Sequence, residues 1–162
     1  MRIGVISDTH GYLDGFVFHA FDGVQQILHA GDVGEDRILD ELEEIAPVIA
    51  VSGNVDYGVS ARRPLRWCGE LFGVKICMTH GHLLNPRDYN DSALEFFAGE
   101  DPQIVIHGHS HIARHDVDSG VHFLNPGAAC RPRFRDVPSV AVIEVRPDKS
   151  FEITFQEIPR RG

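Results

Sequence analysis

The sequence predicts an α/β core joined to a second, more antiparallel sheet. Three observations carry that reading. In the N-terminal part, short β-branched runs alternate with stripes of helical period. From residue 112 onward, strand-like segments follow one another with turn residues between them. An Asp, Asn or His also stands just past the end of run after run.

The elements follow in order. Residues 2–7 are apolar, β-branched and of strand length, and they stop at Asp8. Asp14 stands where it would cap a short helix with Phe16, Val17, Ala20 and Phe21 on one face. A second strand over 25–30 ends in Ala30-Gly31-Asp32. Ile38, Leu39, Leu42 and Ile45 then form a helical stripe, with acidic Glu35 and Asp36 at its start and Pro47 closing it. Strand 48–52 runs into Gly53-Asn54. Residues 65–79 read as two strands around Gly73, the second ending at Thr79-His80-Gly81. A helix near 91–98 carries Leu94, Phe97 and Ala98 and breaks at Asp101-Pro102. Strand 103–107 ends in Gly108-His109-Ser110-His111. Further strands are expected near 112–117, 121–125, 139–146 and 150–157, with Asp118-Ser119-Gly120 and Arg146-Pro147-Asp148 as turns.

Length and composition bound the function. At 162 residues, without linker or repeat, the chain reads as one domain over 1–162. Hydrophobic residues at 43% and charged residues at 24% exclude wholesale disorder. No run approaches about 18 apolar residues, so no membrane span is expected. The apolar start is too short for a signal segment. A net charge of −9 argues against non-specific nucleic-acid binding, because no basic field would steer a polyanion. Cys68, Cys77 and Cys130 are odd in number and lack CxxC spacing. Reduced thiols in a cytoplasmic protein are the expectation.

Asp8, Asp32, Asn54, His80 and His109 each follow the C-terminal end of an expected strand. In open α/β sheets those ends line one edge, where ligands bind. With His10 and His111 they supply seven carboxylate, imidazole and amide donors, the ligand types of borderline divalent metals. That is too many for one four-coordinate zinc and suits two ions sharing a carboxylate. With no thiolate in the set, Mn²⁺, iron or Zn²⁺ fit better than Cu(I) or a cluster. Two such ions are a known device for hydrolysing phosphate esters. Asp-x-His and Gly-Asp are weak signals alone, whereas Gly-His-x-His is expected only ~0.06 times by chance in this composition.

Asp8-x-His10, Gly31-Asp32, Gly53-Asn54, His80 and Gly108-His109-x-His111 together resemble the five signatures of the calcineurin-like metallophosphoesterase superfamily. The short chain, Gly53-Asn54-Val55-Asp56, Thr79-His80-Gly81-His82 and Asn125-Pro126-Gly127 are similar to its small bacterial and archaeal phosphodiesterase branch. The resemblance covers residues 1–133. It implies a four-layer α/β/β/α sandwich, two mixed β-sheets flanked by helices, with metals at the sheet edge. One ion would sit on Asp8, His10, Asp32 and His111, and the other on Asp32, Asn54, His80 and His109, with Asp32 bridging. Manganese is the first expectation for both, with iron, Zn²⁺, Ni²⁺ or Co²⁺ as alternatives.

The activity implied is hydrolysis of a small phosphodiester by in-line attack of a hydroxide held between the ions, with Asp32 and Asn54 in the catalytic set. A phosphomonoesterase is one alternative. A non-catalytic interaction scaffold is another, because a retromer subunit resembles the same fold with partly degraded motifs. In the wider superfamily a His follows the Asn; here Val55 stands there, and Asp56 and His82 are the nearest candidates to serve the leaving oxygen.

Other residues carry structural readings. Asp32 alone also reads as a helix N-cap. His107 and His29 read as buried, hydrogen-bonded strand residues, and His19, His115 and His122 as residues of surfaces or strand faces. Arg131, Arg133 and Arg135 follow the Asn-Pro-Gly turn, either as a phosphate clamp or as a solvated basic rim. Phe16, Phe18, Phe21, Trp67 and Phe72 suit either a core or the interface of a homo-oligomer.

Overall fold

A computed structural model describes residues 1–57, 62–132 and 136–159. In chain order these hold β1 (Arg2–Ile6), α1 (Phe16–Ala20), β2 (Gln26–His29), α2 (Arg37–Glu43), β3 (Val48–Ala50), β4 (Arg66–Leu71) and β5 (Val74–Thr79). There follow α3 (Tyr89–Phe96), β6 (Ile104–Ile106), β7 (Arg114–Asp118), β8 (Val121–Asn125), β9 (Ser139–Val145) and β10 (Phe151–Glu157). The strands form two five-stranded sheets, ordered β10-β9-β1-β2-β3 and β4-β5-β6-β8-β7.

Both sheets are mixed. In the first, β1, β2 and β3 are parallel, while β9 runs antiparallel to β1 and β10 to β9. In the second, β5, β6 and β8 are parallel and the outer strands β4 and β7 are antiparallel to their neighbours. The late strands therefore do not build a separate antiparallel sheet, as their succession in sequence suggests. β9 joins the first sheet beside β1 because Val140-Ala141-Val142-Ile143 is apolar on both faces and must be covered on both.

Three apolar clusters stack the layers. Ile3, Val5, Leu28 and Ala141 of the first sheet meet Ile76, Met78, Ile106 and Leu124 of the second, all without exposed surface. On the outer face of the first sheet, Ile6, Ile27 and Val140 pack with Val17 of α1 and Ile38 and Leu42 of α2. On the outer face of the second, Cys77, Val105 and Phe123 pack with Ala93 of α3 and with Phe97. The result is the α/β/β/α sandwich. Full burial of each Val, Leu, Ile, Met or Phe side chain among them contributes about 1.5–3 kcal/mol.

Local chemistry sets the helix starts. Asp14 Oδ1 accepts from the Phe16 amide at 2.9 Å, and Asp88 Oδ1 accepts from Asp91 N at 3.3 Å. The Asp88 cap moves the start of α3 forward to Tyr89. Gly4 lets the Phe21 ring lie against β1, since a Cβ there would meet that ring at 3.0 Å. Phe21 is buried, Phe16, Trp67 and Phe72 pack against the cores, and Phe18 remains 38% exposed.

The expectation of three reduced thiols is corrected. Cys68 on β4 and Cys77 on β5 face each other in register and are joined as a disulfide, with Cys130 left free. The hairpin about Gly73 makes nine residues of separation into direct cross-strand neighbours, which CxxC spacing cannot register. No helix among the described residues is long and apolar enough to cross a membrane.

Candidate metal centre

Strand direction assembles the site. β1, β2 and β3 point the same way in one sheet, and β5 and β6 share a direction in the other. Asp8, Asp32 and Asn54 follow the first three; His80 and His109 follow the other two. The seam between the sheets thus gathers side chains from across the chain.

The backbone here is held in a costly conformation. Asp8 (φ 56°), His10 (47°), Asp32 (53°), His109 (65°) and His111 (62°) all occupy the left-handed region. Such residues cost roughly 1–3 kcal/mol each and gather where function needs the geometry. Their loops are tied to one another. Asp8 N donates to Gly31 O at 3.0 Å, His10 N to Asp32 O at 3.0 Å, and Gly108 N to His80 O at 2.8 Å.

Donor atoms converge within this frame. One oxygen or imidazole nitrogen each from Asp8, His10, Asp32 and His111 lies within 4.8 Å of the others. Asp8 Oδ1 is 3.0 Å from His111 Nε2, 3.7 Å from His10 Nε2 and 3.9 Å from His80 Nε2. Beside this group, His80 Nε2 lies 3.2 Å from Asp32 Oδ2 and 3.1 Å from Asn54 Oδ1. The His109 ring lies 5.2 Å from that of His80, and its backbone amide donates to Asp8 Oδ2 at 3.1 Å.

Hydrogen bonds fix which ring nitrogen faces inward. Carbonyl oxygens only accept, so His80 Nδ1 donates to Ala30 O at 2.7 Å and His111 Nδ1 to Arg131 O at 2.9 Å. Both rings thereby turn Nε2 toward the carboxylates. Orienting a ligating imidazole through its second nitrogen is the usual outer arrangement of a metal site. Ser7 Oγ donates to Asp8 Oδ2 at 2.7 Å, and the Val55 amide donates to Asp32 Oδ1 at 2.9 Å.

Asp8 Oδ1 is the diagnostic atom. It is buried and has no hydrogen-bond partner, an expensive state for a carboxylate oxygen unless a cation supplies the missing interaction. An N/O donor set around such an atom fits a borderline divalent ion.

Electrostatics agree with the geometry. Burial pushes the Asp8 and Asp32 carboxyls up, but the neighbouring imidazoles outweigh it and both end low, Asp32 at about 2. Burial also lowers His80, yet Asp32 and Asp8 beside it raise its pKa on balance. His10, where burial dominates, is lowered.

The two candidates for the leaving oxygen separate. His82 is half-buried, with its ring 5.5 Å from that of His80 and 6.3 Å from that of His109, and its buried Nδ1 has no partner. Both Asp56 oxygens are taken up by backbone amides: Oδ1 accepts from Gly34 N at 3.0 Å and Oδ2 from Gly53 N at 2.8 Å. His29 and His107 are buried and hydrogen-bonded, to Thr9 Oγ1 and to the Gly108 and Asn125 neighbourhood. His19 and His115 are exposed and His122 is half-buried. Arg131 is exposed beside His111, whereas Arg133 and Arg135 lie outside the described residues.

The motifs contain Gly53, Val55 and Gly108 but do not reveal their contact roles, nor that of Ser7. A Cβ on Gly53 would run into Asp32, and one on Gly108 would lie 2.7 Å from Asp8 Oδ2. The adjacency of Ser7 and Gly108 to ligand-type residues is the only sequence signal for these roles.

Known proteins share this chain's sequence pattern and fold. A family model described as the calcineurin-like phosphoesterase superfamily domain matches residues 1–148. A protein of Methanocaldococcus jannaschii named a probable metallophosphoesterase is 38% identical over 140 residues, covering 82% of this chain and 70% of its own. A protein of the same organism named a phosphodiesterase is 26% identical, over 96% of this chain and 100% of its own. Among solved structures, a Vps29 variant from Entamoeba histolytica shares the fold with a TM-score of 0.80 at 23% identity, over 98% of this chain and 100% of its own. Family membership implies divalent metal, and the Asp/His cluster fits it. The chain belongs to the calcineurin-like phosphoesterase superfamily.

Proposed function

We propose that this chain is a dimetal-dependent phosphodiesterase, one catalytic domain over 1–162 acting on a small phosphodiester in the cytoplasm. The observation that carries the reading is the partnerless buried Asp8 Oδ1, faced by the Nε2 atoms of His10, His80 and His111. Asp8, His10, Asp32 and His111 would hold one ion; Asp32, Asn54, His80 and His109 would hold the other. Manganese is the first choice. Such ions supply Lewis-acid charge for the phosphate oxygens and make water a competent nucleophile near neutral pH.

The chain's own groups do the rest. Asp32, its carboxyl held ionised by His80, would serve both ions. Asn54 is exposed and keeps an amide oxygen at the mouth of the site. His82, with an unpartnered ring nitrogen, serves the leaving oxygen in place of the residue that Val55 replaces.

The test compares bis-p-nitrophenyl phosphate with p-nitrophenyl phosphate, using protein stripped by chelator and reloaded with Mn²⁺. Faster turnover of the diester supports the proposal, and faster turnover of the monoester replaces it with a phosphomonoesterase. Silence toward both across Mn²⁺, Co²⁺, Ni²⁺ and Zn²⁺ contradicts it in favour of a non-catalytic scaffold.

A further inference from the structure

We infer that Asp56 is a positioning residue whose buried carboxylate locks the Asp32 loop to the Asn54 loop, and so sets the spacing of the bridging and amide donors. Its side chain has no exposed surface. A carboxylate is acceptor-only, and here each oxygen takes one backbone N–H: Gly34 N, two residues after Asp32, and Gly53 N, next to Asn54. Charge-assisted bonds of this kind are stronger than neutral ones.

The two loops have no slack between them. A Cβ on Gly53 would run into the Asp32 backbone and side chain, and one on Gly34 would press on the His10–Gly11 backbone. The carboxylate therefore braces the Asp32 and Asn54 loops directly, and Gly34 in turn abuts the His10–Gly11 backbone. Arg63 covers its outer side, with Nη2 3.9 Å from Asp56 Oδ1 and Nη1 2.7 Å from Asp36 Oδ1 at the start of α2. A carboxylate engaged on both oxygens and sealed from solvent is placed to hold loops, not to meet a leaving group.

The inference rests on the metal-binding reading, and the experiment separates the two. Asp56→Asn keeps the shape but turns one acceptor into an NH₂ donor, so one loop amide faces a donor. Mn²⁺ affinity is measured by calorimetry on the chelated full chain, and kcat is measured at saturating Mn²⁺ with aryl phosphodiesters of graded leaving-group pKa. Loss of an outer-shell partner typically weakens metal binding by about 10–100-fold. The clamp predicts that loss, with kcat lowered evenly across the ester series.

Unchanged affinity with a kcat loss that steepens for basic leaving groups would make Asp56 a proton donor and overturn the clamp. Should the Asn variant not fold, Asp56→Glu retains the charge while displacing the loops, and unchanged Mn²⁺ affinity there also overturns it. Wild type that binds no Mn²⁺ defeats the metal reading itself. Wild type that binds, beside variants that bind equally well, defeats the clamp alone.

Discussion

His80 Nε2 lies 3.2 Å from Asp32 Oδ2, although His80 follows β5 of one sheet and Asp32 follows β2 of the other. The same imidazole donates through Nδ1 to Ala30 O, two residues before Asp32. One side chain thus spans the seam of the sandwich, and the site exists only where the two sheets dock. Sheet packing and site assembly are therefore one event.

His111 lies toward the rim of the site, its side chain 14% exposed and held through Nδ1 by the Arg131 carbonyl. His111→Ala should lower the thermal midpoint by a few degrees, through the lost Arg131 bond and the left-handed φ, and weaken one of two Mn²⁺ sites by at least about 10–100-fold. Calorimetric stoichiometry checks this: two ions in wild type and one tight ion in the variant.

Gly53 has no room for a side chain beside Asp32. Gly53→Ala should cost about 1–3 kcal/mol by overpacking, a fall of several degrees in Tm for a chain of this size. It should also lose Mn²⁺ binding, because the displaced group is the shared carboxylate. Thermal unfolding with and without Mn²⁺ reads both effects.

Burial holds the His29 imidazole neutral, with its pKa lowered to about 4 from an ordinary 6.5. Between those values the unfolded chain binds a proton that the folded one does not. Its contribution is therefore present above about pH 6.5 and is lost as pH falls toward about 4, at up to about 1.4 kcal/mol per pH unit. His29→Gln, which keeps a hydrogen-bonding group for Thr9, should flatten that part of the profile. Urea unfolding of chelated protein from pH 7 to 5 checks the difference, and parallel profiles would contradict it.

Much of this was legible in the sequence because local pattern and strand ends suffice. β-branched runs, Gly and Pro breakers and the stripe of Ile38, Leu42 and Ile45 locate the elements. Asp8, Asp32, Asn54, His80 and His109 each stand after a run that became a parallel strand. What depends on non-local pairing was not legible. β9 enters the first sheet by pairing with β1, more than a hundred residues away, and β10 follows as the hairpin partner of β9. The left-handed backbone at Asp8, His10, Asp32, His109 and His111 is imposed by neighbouring loops; Asp and His adopt it more readily than most residues, but their presence alone does not locate it. Asp56 drew notice as a carboxylate near Asn54, but its amide partners come from folding.

The pairing of Cys68 and Cys77 makes a counting prediction. Protein purified in air and denatured without reductant should show one titratable thiol, that of Cys130, and three after reduction. A loop of this length gives a disulfide a contribution of roughly 2–3 kcal/mol, so reductant should lower the unfolding midpoint. Three thiols in air-exposed protein would contradict the cross-strand bond.

The most direct test of the central claim is metal-dependent hydrolysis of bis-p-nitrophenyl phosphate by chelated protein titrated with Mn²⁺, with Asp32→Asn alongside. Turnover that appears with Mn²⁺ in wild type and is abolished in the variant is the predicted result. Hydrolysis that persists in Asp32→Asn at the wild-type rate would contradict the role given to the shared carboxylate, and with it the account of the site.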